Sequence, residues 1–199
     1  MPRPLRIIYP GVPHHIVHRG CKQQQVFFCE KDYEYYIDLL STYLTIFEVE
    51  IWTYCLMPNH VHLILVPNDE TSLSKAIGLA HKKYSFYLNK KIDWKGTIWE
   101  GRFKSYGMDE YHTYHALKYV ERNPVAARMV ENCENYKWSS ASAHVINKKN
   151  KLIRKMNPYW ESSEQWKEYI SSPGAKELEY FFEKHEKTGR FLGIHKKAK

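Results

Sequence analysis

The sequence predicts an α+β fold, in which helices pack on one face of an antiparallel sheet. Residues 50–66 alternate in the manner of a β-hairpin, amphipathic helical segments lie on both sides of that hairpin, and a short strand precedes them. The chain has 199 residues, of which 43% are hydrophobic, so it is long enough for one main domain with a substantial core.

The first part of the chain contains a strand, a helix and the hairpin. Residues 14–20 are typical of a short strand that ends at a glycine, and an apolar stripe with helical spacing predicts an amphipathic helix at 32–47. Residues 50–57 and 60–66 each alternate. Because Pro58 and Asn59 between them are a tight-turn signal, we expect the two segments to pair as an antiparallel hairpin.

The next part adds two helices and a strand. A helix is predicted at 71–91, with a largely basic outer face, and residues 98–108 are typical of a strand. A third helix is predicted at 109–123, where Pro124 is expected to end it and to begin a short helix at 124–130. Strand, helix, hairpin, helix, strand and helix in this order are compatible with a ferredoxin-like sandwich.

The composition changes after residue 146. Residues 147–151 form a charged run that is typical of a solvated linker. The aromatic residues beyond it indicate a small helical appendage, which ends in a basic tail at 190–199. We therefore expect one domain at 1–146 and a linker with a helical, basic C-terminal extension at 147–199.

Charge and aromatic content favour a polyanionic partner. The net charge is +8 and 15% of the residues are aromatic, so basic side chains can attract phosphates and aromatic rings can stack on unpaired bases. An ordinary basic protein is the alternative on composition alone. No apolar run approaches the roughly 20 residues that cross a bilayer, and the four cysteines form no CxxC pair. We expect a cytoplasmic protein without a membrane partner.

Two histidines stand one residue apart at the start of the second hairpin strand. Residues i and i+2 of a strand face the same side about 7 Å apart, so His60 and His62 can converge on one ion or one phosphate. Neutral imidazole is a common ligand of divalent metals, whereas two histidines hydrogen-bonded near the core are the alternative. A metal held by two imidazoles leaves positions for a third protein ligand, substrate oxygens and water.

The third predicted helix offers two candidate nucleophiles. Residues four apart share a helix face, so Tyr111 with His115, or Tyr119 with Asn123, could place a hydroxyl beside a metal ligand. Imidazole is the better ligand for most transition metals, which slightly favours the first pair, but an amide oxygen is at least as suitable for Mg²⁺. The absence of GxSxG, HExxH and nucleotide-binding glycine motifs weakens serine hydrolase, zinc protease and nucleotide hydrolase interpretations.

Four motifs in the right order resemble the REP-associated tyrosine transposases. They are PNHVHLIL in the hairpin, WEGRFKS ahead of the third helix, YVERNPVAARMV at its end, and WSS after it. These transposases form a branch of the HUH single-strand transposase superfamily, where U is a hydrophobic residue, here Val61. The similarity runs from about residue 9 to residue 144, and the late KTGRFLG resembles a C-terminal element of longer members.

The resemblance implies a HUH-type transposase catalytic domain at 1–146 with Tyr119 as the nucleophile, which overrules the mild preference for the other pair. It also implies that His60 and His62 bind a divalent metal and that Asn123 is the third ligand. The implied reaction cleaves and rejoins single-stranded or hairpin DNA through a 5′-phosphotyrosine. Mg²⁺ or Mn²⁺ is expected, although two imidazoles also admit zinc.

Basic side chains are the expected DNA contacts: Arg19, Lys82, Lys83, Arg102, Lys104 and Arg122. Solvated surface charge is the alternative for most of them, and Arg122 could simply complement the C-terminal end of its helix. A catalytically silent protein that binds repetitive hairpin DNA is the main rival function. A metal-dependent nuclease in which water attacks is a weaker one. The sequence is compatible with a monomer or a homodimer.

Overall fold

The computed structural model describes residues 7–153, 159–172, 180–182 and 191–193. Within them an antiparallel sheet has the strand order β2-β3-β1-β4, with β1 at His14–Arg19, β2 at Glu50–Met57, β3 at His60–Val66 and β4 at Lys104–Gly107. The helices are α1 at Glu30–Ile46, α2 at Ser72–Lys91, α3 at Glu110–Ala126, α4 at Ala141–Ile146 and α5 at Ser163–Ser171. The predicted α+β class with an antiparallel sheet is confirmed.

The hairpin forms where the sequence predicts it, and it determines where the two histidines lie. Met57 pairs with His60 across the two-residue turn. On its other side β3 pairs with β1, so that His60 lies opposite Arg19 and His62 opposite Val17. The histidines therefore lie on a central strand that is hydrogen-bonded on both sides.

Helices cover both faces of the sheet. Helices α1 and α2 pack on the face that carries Ile16 and Leu63, whereas α3 belongs to a second core that contains Ile64 and Val120. The expectation of helices on one face holds for α1 and α2, but α3 lies on the opposite face. Positions 61 to 65 of β3 are all buried, and successive residues of a strand point to opposite faces, so both faces need cover.

The fourth strand is shorter than its sequence predicts. A strand is expected over 98–108, but β4 covers Lys104–Gly107, and before it an isolated bridge joins Gly20 to Trp99. Gly101 has φ +62°, a left-handed conformation that glycine adopts without steric cost, and it interrupts the extended chain. Residues 98–103 therefore form a loop, which packs Trp99 and Phe103 against α1 and α2.

Helix α3 continues through Pro124, so the prediction that the helix ends there is wrong. Proline lacks the N–H that would bond to the carbonyl of Val120. The side-chain amide of Asn123 donates to that carbonyl at 3.4 Å and to the carbonyl of Tyr119 at 2.9 Å. This side chain replaces the missing backbone donor and lets the helix reach Ala126.

Beyond residue 158, the described apolar residues of the C-terminal extension pack on the α3 face of the sheet, whereas Leu152 belongs to the core that contains α1 and α2. Trp160 and Trp166 stack with their ring centroids 3.9 Å apart, and both are buried in the core that contains α3. The indole of Trp166 donates to Glu121 of α3 at 2.9 Å. Apart from residues 191–193, the predicted basic tail lies outside the described residues. No described helix has the length and apolar character to span a membrane.

Candidate active site

The two histidines of β3 form a pair on the α3 face of the sheet. Their ring centroids are 4.8 Å apart. His60 donates from Nδ1 to the side-chain oxygen of Asn59 at 2.6 Å, and Nδ1 of His62 shares a hydrogen bond with Nε2 of His15 at 3.0 Å. Each imidazole thus has its Nδ1 engaged by a neighbour, which fixes its ring and makes Nε2 the nitrogen suited to coordination.

His15 extends this arrangement to the edge strand. Its Nδ1 is hydrogen-bonded to the hydroxyl of Tyr106, which lies opposite it in the β1–β4 pairing. A row of three side chains, Tyr106, His15 and His62, therefore crosses three neighbouring strands. The sequence pattern alone does not single out His15, and its contact with His62 is found only in the structure.

Burial keeps these imidazoles neutral. It lowers the pKa of His15 to about 3. Burial, with the nearby positive charge of Arg19, lowers the pKa of His60 to about 3. The pKa of His62 also falls well below the ordinary value, first by burial and then through His60, His15 and Arg19. A neutral imidazole keeps the lone pair that a metal needs.

Tyr119 of α3 lies against this row of side chains. Its ring centroid is 5.8 Å from that of His62, 6.1 Å from that of His15 and 5.2 Å from that of Phe182. Val120, the next residue, is fully buried against the sheet, so α3 is anchored while the Tyr119 side chain lies at the margin of the core, half-buried. The tyrosine and both histidines thus lie on the same face of the sheet.

Asn123 follows Tyr119 by one helical turn, and its Nδ2 is directed to backbone carbonyls of its own helix. Its Oδ1 is then the atom suited to a hard cation. No group of three or more His, Cys, Asp or Glu among the described residues could hold a metal ion. Two imidazoles and one amide oxygen make a mixed nitrogen and oxygen donor set, which suits transition metals such as Mn²⁺ or zinc and would suit Mg²⁺ with substrate oxygens completing the coordination.

The alternative pair on α3 lies elsewhere. Tyr111 is 60% exposed, and its ring contacts His115 with 4.6 Å between centroids. Nδ1 of His115 is hydrogen-bonded to the hydroxyl of Tyr169 on α5 at 2.7 Å. This pair therefore faces the C-terminal extension, and its ring contacts do not include His60 or His62 among the described residues.

Of the basic residues predicted to bind DNA, two lie near the histidines. Arg19 is half-buried opposite His60. Lys104 is exposed and lies opposite Val17, so it shares the face of His15 and Tyr106. These two side chains add positive charge near the histidines, and their contact with DNA stays a prediction.

The other four basic residues lie farther from the pair. Lys82 and Lys83 are exposed on α2, and Arg102 lines a groove beside that helix. Arg122 donates to the carbonyl of Ile170 at 2.7 Å and so holds the end of α5. The structure thus gives Arg122 a packing role, while its contact with DNA stays a prediction.

Two solved structures resemble most of this chain. A solved structure of a REP-associated tyrosine transposase bound to a REP hairpin matches with a TM-score of 0.62 and 16% identity, covering 78% of this chain and 92% of that one. A putative transposase from Deinococcus radiodurans R1 has a TM-score of 0.42 and 22% identity, covering 61% and 97%. No curated protein matches. The likeness at a TM-score of 0.62 shows the fold.

The family is shown by the sequence itself. A sequence profile described as "Transposase IS200 like" matches residues 9–123, more than half of the chain. The matched region runs from just before β1 into α3 and contains the histidine pair, Tyr119 and Asn123. The chain belongs to the IS200-like transposase family.

Proposed function

We propose that this protein is a DNA strand transferase that cleaves and rejoins single-stranded or hairpin DNA through a tyrosine nucleophile with divalent metal assistance. The observation that carries the proposal is the position of Tyr119, whose ring lies 5.8 Å from that of His62 on the same face of the sheet. A nucleophile and a potential ligand pair thus converge from α3 and β3. Membership of the IS200-like transposase family supports the same chemistry.

The reaction is a transesterification. The Tyr119 oxygen attacks the backbone phosphorus, a tyrosine O–P bond forms, and the bond from phosphorus to the 3′ oxygen breaks. The phenol loses its proton and the departing oxygen gains one, which leaves a 5′-phosphotyrosine and a free 3′-OH. Because the phosphodiester energy is kept in the covalent link, a 3′-OH can later reverse the step without ATP.

The ligands proposed for Mg²⁺ or Mn²⁺ are His60, His62 and Asn123. A bound ion supplies Lewis-acid polarisation of the phosphate oxygens. To present Nε2 to it, His62 donates from Nδ1 to Nε2 of His15, and His15 donates from its own Nδ1 to the hydroxyl oxygen of Tyr106. These two residues keep the ligand ring oriented.

The proposed partner is hairpin DNA with single-stranded flanks. The solved transposase of the same fold is bound to a REP hairpin. In this chain, Arg19 and Lys104 add positive charge to the face that carries the histidines. The tyrosine and the histidines come from one chain, which is compatible with either a monomer or a homodimer.

A covalent capture experiment tests the nucleophile. Labelled hairpin DNA is incubated with wild-type protein, Tyr119→Phe or Tyr111→Phe in Mg²⁺, Mn²⁺ or EDTA and run on a denaturing gel. We expect a metal-dependent protein–DNA band from the wild type and from Tyr111→Phe, and none from Tyr119→Phe, because only that hydroxyl can form the link.

Two other results would contradict the proposal in different ways. Normal cleavage by Tyr119→Phe would mean that another group or water attacks the phosphorus. Tight binding of many hairpins without a covalent band would support a catalytically silent DNA-binding protein.

A further inference from the structure

A groove of about 560 Å³ opens on the α2 face of the sheet, between α2 and the loop that precedes β4. Three aromatic residues and two histidines contribute to its lining. Phe86 of α2 is 66% exposed there, and Trp99 and Phe103 come from the loop. The rings of His18 and His81 lie nearly parallel to that of Trp99, with centroids 4.8 Å and 4.5 Å away. This stack fixes Trp99 in the groove wall.

Two polar atoms of the lining residues are buried without hydrogen-bond partners among the described residues. They are the indole N–H of Trp99, a residue only 4% exposed, and Oδ1 of Asn89. The other end of the Asn89 amide is satisfied, since Nδ2 donates to the carbonyl of Gly96 at 3.0 Å. Buried polar groups rarely lack partners in folded proteins. The groove lining thus contains one hydrogen-bond donor and one acceptor that have no partner among the described residues.

Two basic residues line this groove, and a third lies between it and the candidate active site. Lys82 and Arg102 line it. Lys104 follows two residues after Arg102, at the start of the edge strand β4, and lies on the opposite face with Tyr106. A polyanionic strand can therefore pass around the β4 edge from the histidine pair to the groove.

We propose that the groove binds an unpaired nucleobase from the single-stranded flank of the DNA substrate. A base has a π-face for the exposed ring of Phe86, and donors and acceptors on its edge for Trp99 and Asn89. Lys82 and Arg102 then meet the adjoining phosphates. The inference rests on the proposed function, and it adds a second DNA contact on the face of the sheet opposite Tyr119.

Binding measurements test the groove. The full-length protein is titrated in EDTA with two fluorescent DNAs, a blunt hairpin and the same hairpin with a short single-stranded flank. Removing one stacking ring with Phe86→Ala is expected to weaken binding of the flanked hairpin about tenfold and to leave the blunt hairpin unchanged. Phe28→Ala is the matched control, because Phe28 is a phenylalanine 49% exposed and is not part of the groove lining, and it should change neither affinity.

The same titration can overturn the inference. An unchanged affinity of Phe86→Ala for the flanked hairpin, or an equal loss for both DNAs, would contradict it. A second test uses wild-type protein and a flank that carries 5-iododeoxyuridine. Photocrosslinks are expected on the peptide that contains Phe86 or on the peptide that contains Trp99 and Phe103, and crosslinks confined to peptides outside the groove lining would also reject the groove.

The tyrosine reaction and the nucleobase site can be rejected independently of each other. Tyr119-dependent adducts are measured on the same flanked hairpin with added Mn²⁺. Adduct formation without any effect of Phe86→Ala on flank binding would reject the nucleobase site alone. A flank preference that depends on Phe86, without any covalent adduct, would reject the tyrosine reaction alone.

Discussion

The buried imidazole of His15 lies between the hydroxyl of Tyr106 and Nδ1 of His62. Another residue type could occupy its backbone position in β1, but its two ring nitrogens match two polar partners. A partner of this kind holds a metal-ligating imidazole in one orientation and raises its basicity. Tyr106 in turn holds His15. The affinity for the proposed metal ion should therefore depend on a hydroxyl on the edge strand.

Tyr106→Phe removes that hydroxyl and keeps the ring. We expect Mn²⁺ affinity, measured by calorimetric titration of the DNA-free protein, to fall about tenfold, as outer-shell substitutions generally do. Tyr36→Phe is the control, since the Tyr36 hydroxyl also bonds to a histidine, His81, at 2.7 Å, but on the other face of the sheet. Equal losses in both variants would show that the effect is general loosening of the fold.

The sequence alone predicts that His60 and His62 form a pair, because side chains two residues apart in one strand point to the same face. The contribution of His15 could not be predicted in the same way. Its contact with His62 depends on the register between β1 and β3, two strands that are distant in sequence. Alternation places His15 and Val17 on one face, but only the pairing of Val17 with His62 brings His15 beside the site.

At the scale of the elements, α3 is fixed by one buried carboxylate. Glu121 accepts hydrogen bonds from the hydroxyls of Thr53 and Ser140, from the indole of Trp166, and from Nδ1 of His144. Burial acts to raise the pKa of Glu121, but His144 and these hydrogen bonds together lower it below the ordinary value. The carboxylate thus connects α3 to β2, to α4 and to α5.

Glu121→Ala should destabilise the protein by about 3–5 kcal/mol, because it leaves several buried donors without their acceptor. Urea denaturation followed by circular dichroism measures the change. Glu110→Ala on the exposed start of the same helix is the control and should stay within about 0.5 kcal/mol of wild type. A loss of less than about 1 kcal/mol for Glu121→Ala would mean that the network contributes little.

Local signals predict some elements better than others. The hairpin and α2 are found close to their predicted bounds, because alternation, turn residues and helical periodicity are properties of neighbouring residues. The ends of β4 and α3 differ from prediction because each depends on a single residue. Gly101 turns the chain out of the strand. Asn123 satisfies the carbonyl that Pro124 leaves open.

At the scale of the whole molecule, buried histidines link the fold to pH. Burial lowers the pKa of His14 to about 4, despite a backbone hydrogen bond that raises it, and those of His15 and His60 to about 3. In the unfolded chain these groups return to the ordinary value of 6.5 and bind protons at higher pH. Between these values the unfolded state binds more protons, so the free energy of unfolding decreases as the pH falls.

We therefore expect urea midpoints in EDTA to be similar at pH 8 and pH 7 and clearly lower at pH 5. Glu121 does not contribute in this window, because its stabilisation is lost only below the ordinary carboxyl value of 4.5. Repeating the series at raised salt screens repulsion between surface charges and should leave the effect in place. Identical midpoints at pH 7 and pH 5 would contradict buried neutral imidazoles.

The partners of Glu121 bear on how this chain could be recombined with its relatives. The family match stops at residue 123, whereas Ser140, His144 and Trp166 lie beyond it. A chimera that transplants only residues 9–123 would carry the histidines and the tyrosine, but its buried Glu121 carboxylate would keep Thr53 and lose Ser140, His144 and Trp166 as donors. A functional graft must therefore include a C-terminal segment whose hydrogen-bond donors match this carboxylate. The segment that can be exchanged between relatives is thus longer than the segment that the family profile matches.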